Sequence, residues 1–144
     1  MSRIYIAGPY AGRDRLRRLV AEPLADAGHC ITAGWLHEDT PTTERYLGAA
    51  YALEAGQVDQ HVTGDLGDIR DCDVLLAVTP GWLEWKGGAR LPMSASGGRH
   101  VEFGYAVAHH KRLLHLGTPE NVFTRALAQE FSHLYQVMHA LEGA

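Results

Sequence analysis

The sequence predicts an α/β sandwich around a parallel β-sheet, and three observations predict it. Val74–Val78 (VLLAV) is a continuous apolar run closed by Thr79-Pro80-Gly81, and a run without polar alternation belongs in a strand covered on both faces. Similar short runs at Arg3–Ala7 and Leu113–Leu116 are separated by stretches whose apolar residues recur at helical spacing, the order that builds parallel sheets from βαβ units. The 144 residues, 46% hydrophobic and 21% charged, have the size and composition of one domain with one core.

Taken in order, Arg3–Ala7 (RIYIA) is the first strand and ends at the breaker Gly8-Pro9. Leu16, Leu19, Val20, Leu24 and Ala27 then mark a helix, with Arg13, Arg15, Arg17 and Arg18 mostly opposite. Pro23 inside this pattern predicts a kink or a split, and Gly28 a stop. Cys30–Ala33 reads as a second strand, followed by a loop through Trp35, His37, Asp39 and Pro41. Thr42 or Thr43 is placed to cap a helix through Tyr46, Ala50 and Leu53. A further helix from about Val58 to Cys72 leads to the strand Val74–Val78. Gly81–Gly98, rich in Gly, Ser, Pro and Trp, reads as a long loop, of a length that is usually functional or disordered. Arg99–His110 has helical periodicity, and His110, Lys111 and Arg112 suit its C-terminus. Leu113–Leu116 is a buried strand. The last segment has two readings: one helix over Thr124–Leu141, or a short edge strand at Phe131–Leu134 followed by a terminal helix. We favour the second.

Composition excludes several classes. A formal net charge of -4 and a pI near 6.1 give no broad basic face for a nucleic-acid polymer. Cys30 and Cys72 make no disulfide framework; both flank apolar runs and read as small buried hydrophobes. Neither a basic segment followed by an apolar stretch at the N-terminus nor a run of about 18 apolar residues is present, so no signal peptide or membrane span is expected, and the cytoplasm is the default expectation for the compartment. The nine histidines show no metal-ligand spacing, and His109-His110 reads as a charged helix end.

In parallel α/β sheets ligands bind beyond the carboxyl ends of the strands, which directs attention to Gly8–Arg13, Trp35–Asp39, Thr79–Gly98 and Gly117–Asn121. The most informative segment is Ser96-Gly97-Gly98-Arg99-His100-Val101-Glu102-Phe103-Gly104-Tyr105-Ala106. A two-glycine loop opens a helix there, Ser96 is a natural N-cap, and the free backbone N–H groups can hold an anion or hydroxyl. Glu102 lies one turn inside, among Val101, Phe103 and Tyr105, where a carboxylate is expensive unless used or paired. Gly104 would allow close approach of another backbone. Pattern alone leaves a solvent-facing helix glutamate equally open. In Asp65-Leu66-Gly67-Asp68-Ile69-Arg70-Asp71-Cys72-Asp73, Asp65 and Asp68 or Ile69 share a helix face, although a polar helix end would look the same. In Tyr5–Arg13 the small residues Gly8 and Gly12 let a ligand approach the backbone, and Arg13 can meet a phosphate. This loop is neither a Walker A nor a G-x-G-x-x-G motif.

Together these segments resemble the nucleoside 2-deoxyribosyltransferase family, which includes the deoxynucleoside 5′-monophosphate N-glycosidases, from about Arg3 to Phe123. Ser96-x-Gly98-x-x-x-Glu102-x-Gly104-x-Ala106 is similar to the family pattern around its nucleophilic Glu. Asp65-Leu66-x-x-Ile69-x-x-x-Asp73 looks like the segment whose first Asp serves the nucleobase, and Ile4-Tyr5 like the first-strand Tyr that hydrogen-bonds the Glu. The resemblance implies a flavodoxin-like three-layer sandwich with a five-stranded parallel sheet, in homodimers or larger homo-oligomers with shared active sites. It implies Glu102 as nucleophile, Asp65 as proton donor to the leaving base and Tyr5 as the group that orients Glu102, with no cofactor and no metal.

The expected substrate-facing set is Gly8, Tyr10, Gly12 and Arg13 with Ser96, Gly98 and Asn121. Transferases of the family often carry Asp six residues before the nucleophile, to hold the 5′-hydroxyl. Ser96 stands there instead, as in the monophosphate hydrolases, because a carboxylate would repel a phosphate. Asn121 resembles the Asn that a neighbouring subunit contributes in transferases, at a shorter spacing. The expected activity is cleavage of the N-glycosidic bond of a (deoxy)nucleoside 5′-monophosphate or nucleoside by hydrolysis. The alternative is base exchange, and further readings are an NAD glycohydrolase and a non-catalytic nucleotide sensor. Trp82, Trp85, Lys86 and Arg90 read as a lid with a tryptophan on the base, or as a subunit contact. Trp35 and His37 either line the base pocket or pack against the first loop.

Overall fold

The computed structural model describes residues 1–38, 54–91 and 97–143. The helix expected through Tyr46, Ala50 and Leu53, and the residue Ser96, lie outside the described residues. The strands are β1 (Arg3–Ala7), β2 (Cys30–Ile31), β3 (Val74–Val78), β4 (Arg112–Leu116) and β5 (Gln129–Phe131). All neighbours are parallel, in the order β2-β1-β3-β4-β5. That is the flavodoxin-like doubly wound order, whose switch point lies between β1 and β3.

The principal helices are α1 (residues 13–26), α2 (Ala55–Asp71), α3 (Pro80–Gly87), α4 (Gly98–Ala108), α5 (Val122–Leu127) and α6 (Leu134–Glu142). Right-handed crossovers put α1 and α6 on one face of the sheet and α2, α4 and α5 on the other; α2 packs directly on α4. Ile4, Tyr5, Ile6, Leu75 and Leu76 of the central strands are fully buried. Leu16, Val20, Leu24, Val137 and Leu141 join them in the core from α1 and α6, and Ile69, Phe103 and Ala106 from α2 and α4. Covering on both faces is the reason β1 and β3 carry no polar alternation. Among the described residues no helix is long and apolar enough to cross a membrane.

Pro23 does not split α1. Arg17–Ala21 forms a π-helical turn between the α turns Arg13–Leu16 and Glu22–Asp26. Proline has no N–H for the carbonyl one turn back and its ring crowds that carbonyl, so the widened turn ahead of it lets the helix continue. Gly28, at φ +94°, ends the segment. β2 stops at Ile31, two residues short of expectation, although Thr32 N still donates to Ile4 O at 2.8 Å. Because β2 is an edge strand, Cys30 is exposed and not buried as expected; Cys72 is buried, and burial raises its thiol pKa.

The largest departure is at Gly81–Gly98, which does not begin as a loop. Thr79 caps α3 by accepting from Trp82 N at 3.1 Å, Pro80 occupies its first turn, and Gly88 closes it in the left-handed region. Thr-Pro at the start and Gly at the end are ordinary helix boundaries, outweighed in the sequence by the Gly and Trp content between them. α4 has Gly97, not Ser96, at its N-cap position, with no side-chain cap from the described residues. At its far end Lys111 Nζ donates to Arg70 O and Cys72 O, each at 2.7 Å, fastening α4 to the end of α2. The C-terminal segment follows the strand-and-helix alternative, with β5 starting two residues before Phe131 and the short α5 ahead of it.

Candidate active site

Tyr5, at the middle of β1, is completely buried, and its hydroxyl donates to Glu102 Oε2 across the interface with α4. Glu102 is half-buried one turn into that helix, so the carboxylate is paired, as its apolar company requires. The Tyr5 pKa is held well above 10.0, first by burial, then by the negative charges of Glu102 and Asp65, the hydrogen bond to Glu102, and the charge of Asp68. The phenol therefore stays a neutral donor, and three carboxylates from two helices converge on it. α2 brings two of them: Asp65 and Asp68, both half-buried, are one turn apart.

Asp68 has a positioning role that sequence reasoning missed. Its Oδ2 accepts from Gly34 N at 2.9 Å and its carbonyl accepts from Thr32 Oγ1 at 3.0 Å. These bonds pin the last turns of α2 to the segment after β2, so that Asp65 is carried on a fixed helix. The shared i, i+3 face was the available signal.

The first loop is more structural than expected. A Cβ on Gly8 would stand 2.9 Å from Leu16 Cδ1, and one on Gly12 3.0 Å from Leu83 Cδ1; the space these glycines leave is filled by protein. Tyr10 is buried against Trp35, with ring centroids 6.0 Å apart. Arg13 lies 4.3 Å above the Tyr10 ring and donates to Glu38 O at 3.2 Å and Tyr10 O at 3.1 Å. Trp35 is buried beside Tyr10 of the first loop and donates to Ile6 O at 3.0 Å, so of its two readings packing against the first loop is the one observed. His37 is exposed.

At the start of α4, Gly98 is exposed, and no atom of the described residues lies within 4 Å of where a Cβ would be. Arg99 grips both oxygens of Glu120, with Nε to Oε1 at 3.0 Å and Nη2 to Oε2. Gly104, expected to admit another backbone, has no atom of the described residues within 4 Å of a Cβ position. Asn121 Oδ1 caps α5, accepting from Phe123 N and Thr124 N at 3.0 Å each, and its Nδ2 is 3.4 Å from His100 Nδ1. Within one chain it bonds neither Tyr5 nor Glu102.

Nor do Trp82 and Trp85 cover the Tyr5–Glu102 pair. Trp82 is buried and donates to Ser132 O at 3.0 Å, and Trp85 lies 6.0 Å from the His133 ring. Both line a separate cavity beyond the ends of β3, β4 and β5. Among the described residues no group of three or more His, Cys, Asp or Glu could hold a metal ion.

The Tyr5–Glu102 pair stands beside the switch point of the sheet, where ligands of doubly wound folds bind. No protein-family model matches the chain, and no curated protein matches it by sequence. Among solved structures it is similar to the CMP N-glycosidase BcmB of Clostridium botulinum, with a TM-score of 0.56 and 18% identity over 97% of this chain and 98% of that chain. At that identity the likeness is one of fold.

Proposed function

We propose that this chain is an N-glycosidase of nucleoside 5′-monophosphates or nucleosides that works through a covalent glycosyl-Glu102 intermediate. The observation that carries the reading is the buried Tyr5 hydroxyl donating to the Glu102 carboxylate with Asp65 beside it. One carboxylate oxygen is held, and the carboxylate as a whole is oriented for attack. Glu102 attacks the anomeric carbon, the C1′–N bond breaks toward the base, and Asp65 protonates the departing nitrogen. Water then attacks the glycosyl ester as Asp65 takes up its proton, giving the free sugar or sugar phosphate and regenerating Glu102.

The exposed start of α4 at Gly98 supports a phosphorylated substrate, because N–H groups at a helix start favour an anion, and the similar solved structure is that of a CMP N-glycosidase. Arg13 gains less support as a phosphate ligand, since its donors already serve two carbonyls. Base exchange loses support with Asn121, whose oxygen is committed to a helix cap. A homo-oligomer is part of the proposal: Val101 on α4 and Val122 and Phe123 on α5 are 69%, 73% and 68% exposed, an apolar face that a second copy would cover.

The test is base release, followed by chromatography, from a panel of nucleosides and their 5′-monophosphates with and without a second free base. Release in water by the wild type and none by Glu102→Ala is the expected result. No release from any member overturns the proposal, and a new nucleoside formed only with added base would make the enzyme a transferase.

A further inference from the structure

Beyond the ends of β3, β4 and β5, across β3 from Tyr5, lies a cavity of about 710 Å³ whose walls include Trp85, Phe131, His133, Glu120 and Glu130. Neither Tyr5 nor Glu102 lines it, and its volume is in the range of small-molecule sites. Its construction is specific. Gly117, at φ +104°, turns the chain where a Cβ would fall 2.2 Å from Thr79 Oγ1, and Gly117 N donates to Phe131 O at 2.9 Å. α3 forms the opposite wall, fixed by the Trp82 bond to Ser132 O.

Among the described residues the acids of the lining are Glu120 and Glu130, beside the hydroxyls of Thr118 and Ser132 and the imidazole of His133. Trp85 is 62% exposed although it stands against the cavity; Lys86 Nζ lies 5.4 Å from its ring centroid and the His133 ring 6.0 Å away, and a planar ring stacked on Trp85 would take the place of the flexible Lys86 side chain or lie on the opposite face. The Glu120 carboxylate is held by Arg99. Glu130 is exposed, and its carboxylate makes no hydrogen bond or salt bridge among the described residues. Among the described residues no Lys or Arg is in the lining itself, although Lys86 stands over the Trp85 ring. An ionised carboxylate only accepts hydrogen bonds, so Glu130 is matched by a flat ring whose edge donates them.

We propose that this cavity is a second binding site, for a planar heteroaromatic ring bearing an exocyclic amino group, stacked on Trp85 with its amino edge toward Glu130. The site is independent of the Tyr5–Glu102 chemistry, since a free base needs no turnover to bind. The probes are adenine and cytosine against hypoxanthine and uracil, in which a carbonyl replaces the amino group. Binding is measured by calorimetry and by saturation-transfer NMR on the full chain.

The amino-bearing bases should bind about tenfold more tightly than their carbonyl counterparts, and Trp85→Ala should weaken them by about tenfold or more. Glu130→Gln, which adds a donor, should erase the preference, and Glu102→Ala should leave binding unchanged. Trp85 and Glu130 are exposed, so both variants should keep the wild-type circular dichroism. Equal affinity for the two kinds of base, or no effect of Trp85→Ala, overturns the proposal. So does loss of binding in Glu102→Ala, which would put the ring beside Tyr5. Base release in the panel above, with no free base bound at Trp85, would leave the glycosidase reading standing and remove this one alone.

Discussion

Tyr5 joins burial, charge and chemistry in one side chain. Its hydroxyl holds Glu102, and misplacing a nucleophile by a fraction of its reach is worth about a hundredfold in rate. Tyr5→Phe should therefore lower kcat by about ten- to a hundredfold with little change in KM, measured on whichever monophosphate the panel selects; an unchanged kcat would remove Tyr5 from the site. The same group sets a limit at high pH. Its folded-state pKa lies above the unfolded value near 10.0, so the unfolded chain loses this proton first. The stability it contributes is complete below pH 10 and declines above it. Melting temperatures should fall less steeply above pH 10 in Tyr5→Phe than in the wild type. At the acid end the buried His115 behaves in the opposite sense, its pKa pushed below 6.5 chiefly by burial. The unfolded chain takes up that proton first as pH falls, so stability present above 6.5 is lost below it, and His115→Gln should flatten the melting curve between pH 5 and 7. Pattern alone leaves Glu102 open between a solvent-facing helix position and a site, and the roles of Tyr5 and Asp65 come only from the family resemblance; the structure sets the Tyr5 hydroxyl on Glu102, with the Asp65 charge near it. The glycines of the first loop were not legible, since whether ligand or protein fills the space beside Gly8 is decided by Leu16, on the next helix.

Elements were legible where one signal dominated. Val74–Val78 and Arg3–Ala7 have the expected bounds because continuous apolar runs ended by Pro or Gly admit one reading. β5 has only three residues, too few to show a period, so a helix through it remained open. α3 was missed although Thr79, Pro80 and Gly88 mark its ends. Those ends also make a prediction. Thr79→Ala removes the cap on Trp82 N and should lower stability by about 1 kcal/mol in denaturant titration. Gly117→Ala should cost more, because it combines a left-handed φ with a collision against Thr79 Oγ1. If the two variants are equally stable, the turn after β4 has a different conformation.

At the scale of the molecule, strand order was not readable from the residues alone; only the resemblance implied it. It follows from burial and handedness together. The fully buried β3 must have neighbours on both sides, and the half-exposed β2 and β5 take the edges. The same accounting of burial leaves one face unfinished. Val101, Val122, Phe123 and Leu127 expose their side chains along α4 and α5, next to an apolar groove between those helices lined by Phe103, Val107 and Asn121. A stable dimer removes about 800 Å² from each partner, and the formal net charge of -4 opposes association only weakly at physiological salt. The chain should therefore sediment as a dimer or larger assembly at micromolar concentration. Phe123→Asp should give a monomer with little loss of melting temperature beyond that due to dissociation, because Phe123 is 68% exposed in the single chain. If the assembly also completes the active site, as the resemblance implies, that monomer should lose base release while Tyr5 and Glu102 remain in place. A monomeric wild type with full activity would show that Tyr5, Asp65 and Glu102 suffice within one chain.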